Sequence, residues 1–144
     1  MAKDKKISGW SWDLFISDDE KLTATSNGRN GIYVYDLETL EPVLKTKTVS
    51  NVGYVAVSPD RKLVAAKNTS GLLALISMET GEEIFRNKML KCEGNLMTFT
   101  DDSNYILDLD NGNTMLLDME NHFSILDDGF KDEKGHTLYA YLHY

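Results

Sequence analysis

Asp108-Leu109-Asp110-Asn111-Gly112-Asn113 has the carboxylate spacing that opens a calcium loop. A calcium loop needs oxygen ligands at its first, third and fifth positions, glycine at the sixth and glutamate at the twelfth. Here glycine falls fifth and Met119 twelfth, so the segment reads as an Asn-Gly hairpin between two strands. The other reactive side chains also lack the spacing that chemistry requires. His122, His136 and His143 form no HxH or HxxxH pair. Cys92 is the only cysteine, which excludes an internal disulfide and fits a reduced, cytoplasmic setting. No G-x-S-x-G elbow or phosphate-binding loop is present, and Gly28-x-x-Gly31 lies in a turn with no helix after it. Asp18-Asp19-Glu20 reads as a turn, and the charged run 127–135 as a solvated connector. No catalytic, cofactor-binding or metal-binding residue is expected on these grounds.

A hairpin signal recurs at a fixed period. Ser17-Asp18-Asp19-Glu20-Lys21-Leu22, Ser58-Pro59-Asp60-Arg61-Lys62-Leu63 and Thr100-Asp101-Asp102-Ser103-Asn104-Tyr105 begin 41 and 42 residues apart. A second signal follows each, at Asp36-Leu37-Glu38-Thr39, Ser77-Met78-Glu79-Thr80 and Asp118-Met119-Glu120-Asn121. Around these turns lie short β-branched and aromatic runs, four per period, at 14–16, 22–25, 32–35 and 43–45 in the first unit. The second unit repeats them at 54–57, 63–66, 72–76 and 83–85, and the third at 96–99, 105–109, 114–117 and 123–126. No window of helical length keeps an apolar stripe. The prediction is an all-β chain of three four-stranded antiparallel units, with a tail at 1–11 and blade-like units at about 12–48, 49–90 and 91–128. The aromatic segment 136–144 falls where the first strand of a fourth unit belongs.

Four strands in roughly 40 residues is the signature of a propeller blade. The chain resembles the WD-repeat and YVTN-type β-propeller superfamily over about residues 12–126. The matching residues are the Ser58-Pro59-Asp60 turn with Leu63, its looser copies, and the pairs Tyr35-Asp36 and Leu117-Asp118 where the family's Trp-Asp dipeptide stands. The family's Gly-His dipeptide is missing, and Ile76-Ser77 lacks the aspartate. The resemblance implies an incomplete propeller, because closed rings hold about four to eight blades. The expectation is a piece of a longer propeller, or a ring completed by a second chain.

With 144 residues the chain is long enough for one domain with a core. Its 15 basic and 23 acidic residues give a net charge of -8, which argues against nucleic acid and anionic membrane as partners. No run reaches transmembrane length, and no apolar segment follows the basic start, so no signal peptide is expected. Two functions follow from the resemblance. One is a non-catalytic module that binds a protein partner or a second copy of itself. The other is an enzyme or small-ligand binder with a central-channel site. For the first, contacts are expected on one loop rim, at Asn27, Arg29, Asn30, Asn68, Ser70, Asp110, Asn111 and Asn113. Trp10, ahead of the first unit, and Tyr139, Tyr141 and Tyr144, in the last strand, are the remaining candidates.

Overall fold

The computed structural model describes residues 11–27, 29, 31–91, 97–110, 113–121 and 124–127. These residues form twelve strands and no helix, so none of them builds a helix long and apolar enough to cross a membrane. The first sheet holds β1 (Leu14–Ile16), β2 (Leu22–Asn27), β3 (Gly31–Asp36) and β4 (Pro42–Lys47). The middle sheet holds β5 (Val52–Val57), β6 (Leu63–Asn68), β7 (Leu72–Ser77) and β8 (Glu83–Lys88). The third holds β9 (Met97–Phe99), β10 (Tyr105–Asp110), β11 (Asn113–Asp118) and β12 (Ser124–Asp127). Each sheet is an antiparallel meander with its strands in chain order. The expected fourth strand set at 136–144 lies outside the described residues.

Alternation along the strands decides which side chains meet. In the first sheet Leu22, Ala24, Ile32, Val34 and Leu44 point toward the middle sheet and pack on its Val55, Val57, Val64, Ala66, Ala74 and Ile76. The opposite parity of the middle sheet, Ala56, Ala65, Leu73 and Leu75, packs on Met97, Phe99, Ile106 and Leu117 of the third. The middle sheet is therefore apolar on both faces, like any strand set sandwiched between layers. Each Val, Leu or Ile fully withdrawn from water contributes about 1.5–3 kcal/mol. The alanines let the sheets approach while the larger chains fill the remaining space.

One polar contact interrupts the second of these interfaces. Lys67 Nζ donates to Asp108 Oδ1, and both side chains are completely buried. The Leu90 N–H donates to Asp108 Oδ2 at 3.0 Å, and the Tyr54 ring centroid lies 5.8 Å from the ammonium. In register, Lys67 matches Ser26, and Asp108 matches Ala66. The interface between the first two sheets thus carries no counterpart of this pair.

Candidate functional site

The three repeated hydroxyl-x-Asp segments fold into the same turn. Ser17 Oγ donates to Asp19 Oδ1 at 2.7 Å and accepts the Leu22 N–H at 3.0 Å. Ser58 repeats this with Asp60 at 2.6 Å and Leu63 at 3.0 Å. Thr100 repeats it with Asp102 at 2.6 Å and Tyr105 at 3.1 Å. The fourth residue of each turn is left-handed without being glycine: Glu20 at φ 57°, Arg61 at 62° and Ser103 at 63°. The side-chain bonds hold that strained conformation in place.

These fourth residues also join neighbouring turns. Arg61 reaches back to the Asp19 carboxylate. Ser103 Oγ accepts the Asp60 N–H at 2.9 Å. The turns therefore form a linked row along one rim, and a cavity of about 900 Å³ opens between them. Phe15, Val57 and Phe99, one from each innermost strand, form its apolar wall. Asp18, Asp19, Asp101 and Asp102 also line it, together with Arg61. The Ser17 hydroxyl holds Asp19 below the ordinary aspartate value, and the Thr100 hydroxyl does the same for Asp102. Both stay anionic down to acidic pH, which suits cation binding and not proton donation near neutrality. Among the described residues no group of three His, Cys, Asp or Glu is placed to hold a metal ion.

The sequence-predicted residues lie on the opposite rim or outside the described set. Trp10, Asn30, Asn111, Tyr139, Tyr141 and Tyr144 are in the latter group. Asn27 ends β2, paired in register with Gly31, and Arg29 is exposed in the turn between them. Asn68 is buried, and its Oδ1 accepts from the Ser70 N–H and hydroxyl and the Leu72 N–H. Its carbonyl is thus spent on shaping the turn, whereas Ser70 is exposed. Gly71 follows at φ 90°, where a Cβ would lie 2.7 Å from the Leu90 carbonyl oxygen. Asp110 and Asn113 pair with each other across the β10–β11 hairpin. The Asp of the dipeptide positions caps the next turn: Asp36 Oδ1 accepts from the Glu38 and Thr39 amides, and Asp118 Oδ1 from those of Glu120 and Asn121. Ser77 Oγ substitutes by accepting the Thr80 N–H at 3.2 Å.

No family model and no curated protein matches the sequence. Solved structures do match in fold. The β-propeller domain of Swd1 from Myceliophteria thermophila aligns with a TM-score of 0.64 at 14% identity, over 81% of this chain and 38% of that one. The three sheets are β-propeller blades. A chain of the mitotic checkpoint complex aligns with a TM-score of 0.65 at 14% identity, over 80% of this chain and 37% of that one. Hydrazine synthase of Kuenenia stuttgartiensis gives a TM-score of 0.66 at 19% identity, over 91% and 45% of the two chains. The chain spans less than half the length of each of these structures. The likeness is one of fold, and propellers host unrelated tasks. In this frame the linked turns lie at one end of the blades, and the cavity opens beside their inner strands.

Proposed function

We propose that the chain is a non-catalytic propeller module that binds a protein partner at the turn rim, in a cytoplasmic setting. One observation carries the reading: a cavity in which an apolar wall stands beside several carboxylates, of which Asp19 and Asp102 are held below the ordinary aspartate value. That combination fits a segment presenting a lysine or arginine next to an apolar side chain. The likeness to a chain of a named multiprotein complex supports a protein as the partner. The volume, about 900 Å³, also lies in the range of small-molecule pockets, so a small ligand is the second reading.

Selection from a displayed random-peptide library tests the proposal. Recovered peptides are expected to be rich in basic residues flanked by apolar ones. Their affinity is expected to fall about tenfold or more in the Asp18→Lys/Asp101→Lys variant. Substitutions at Arg29 and Ser70, on the other rim, are expected to leave it unchanged. Peptides without a basic bias, or affinity indifferent to the charge reversal, would refute this reading.

A further inference from the structure

A second cavity, of about 640 Å³, lies between the first and middle blades. It opens on the same rim as the first. It takes in Leu22 and Leu63, where β2 and β6 begin, and Asp36 and Ser77, where β3 and β7 end. Leu22 and Arg61 line both cavities, so the two adjoin along the rim.

A repeated irregularity builds its apolar surface. Between β3 and β4 the register passes from Leu44 to Pro42 and skips Val43. Between β7 and β8 it passes from Phe85 to Glu83 and skips Ile84. A bulge of this kind turns a side chain out of the strand's regular alternation. Val43 is 48% exposed and Ile84 47%, and both line the cavity with Leu22, Leu63 and Met78. The pairing of β11 with β12 skips no residue, so among the described residues the third blade has no such bulge.

Charge says what fits there. The turns 36–41 and 77–82, which contribute Asp36, Met78 and Glu79 to the lining, hold five acidic residues and no basic one. Of the two basic residues that line the cavity, Arg61 is already paired with Asp19. The surroundings are therefore negative, and they favour an apolar side chain carried by a basic segment. A second copy of the chain suits the groove less, because the chain is itself acidic, with a net charge of -8.

We propose that the segment bound at the first cavity continues outward past Leu22 and Arg61. It docks a second apolar side chain on Val43, Met78 and Ile84, with a lysine or arginine next to it facing the two acidic turns. This docking rests on the rim binding proposed above and names its ligand: an extended segment with two apolar–basic pairs instead of one.

The test uses the full chain and a peptide recovered by the selection described above. Each apolar position of the peptide is replaced in turn by a benzophenone, and the labelled residues are mapped by mass spectrometry. One position is expected to label Phe15 or Phe99, and another Met78 or Ile84. The Val43→Ser/Ile84→Ser variant is expected to keep its far-ultraviolet spectrum, since both side chains are exposed, and to lose about tenfold in affinity. No label on Met78 or Ile84, or an affinity unchanged in that variant, overturns the proposal. If the Asp18→Lys/Asp101→Lys change still weakens binding, the first cavity keeps its role without the second; if neither variant weakens binding, both fall. A parent chain that is dimeric by light scattering, and monomeric as Val43→Ser/Ile84→Ser, also overturns the proposal, because a second copy would then cover the groove.

Discussion

Lys67 and Asp108 are costly residues to place. Each is a charged side chain with no exposed surface. Withdrawing such an ion from water costs several kcal/mol, which only a close partner and further hydrogen bonds offset. The Leu90 amide and the Tyr54 ring supply part of that compensation. Asp108→Ala would strand the ammonium and is expected to lower stability by about 3–5 kcal/mol. Lys67→Met/Asp108→Leu is expected to recover most of that loss. Urea unfolding of both single variants and the double variant measures this, and a double-variant loss equal to the sum of the two single losses would show that the pair is not coupled. Neither residue announces this role in the sequence. Lys67 stands at the end of an apolar run, and Asp108 opens a failed calcium pattern. Their partnership, between residues 41 apart in the chain, arises only when the middle and third sheets are stacked.

At the scale of elements, the repeated turn does most of the positioning. The Ser58 hydroxyl bonds both the turn carboxylate and the strand amide and is 2% exposed, whereas Ser17 is only half-buried. Ser58→Ala is expected to cost about 1–3 kcal/mol, and Ser17→Ala less, because water replaces the lost bond there. Thermal unfolding of the two variants compares them, and equal costs would contradict the role given to burial. The strands were legible because β-branched runs alternate with hydroxyl-x-Asp and Asn-Gly turns. Their ends were not. Lys67-Asn68, Asn87-Lys88 and Thr46-Lys47 are polar and yet pair in the ladders. The left-handed residues were hidden for another reason. Glu20, Arg61 and Ser103 carry a conformation usually left to glycine, and it is the neighbouring hydroxyl that makes it tolerable. The turn-rim cavity needs three such turns side by side, which no single loop reveals.

For the whole molecule, acidity is the lever. Backbone and hydroxyl bonds from Thr39 draw Asp36 below the ordinary aspartate value of 3.8, and bonds from Asn121 draw Asp118 below it as well. Asp19 and Asp102 shift in the same direction. The unfolded chain therefore binds protons first as pH falls, and stability declines with it. These contributions are fully present above 3.8 and are lost as pH drops through the lower folded values. The urea midpoint is expected to hold from pH 7 to about 5 and to fall below about 4. A midpoint unchanged at low pH would mean that these carboxylates are as free in the folded chain as in the unfolded one. The inequality of the two blade interfaces has a separate consequence, for assembly order. Tandem repeats of similar shape can stack in the wrong sequence. A first blade seated on the third would put Ser26 opposite Asp108 and bury a carboxylate without its counterion. A charge placed at one joint and absent from the other therefore works as an address, admitting the middle blade and turning away its look-alike.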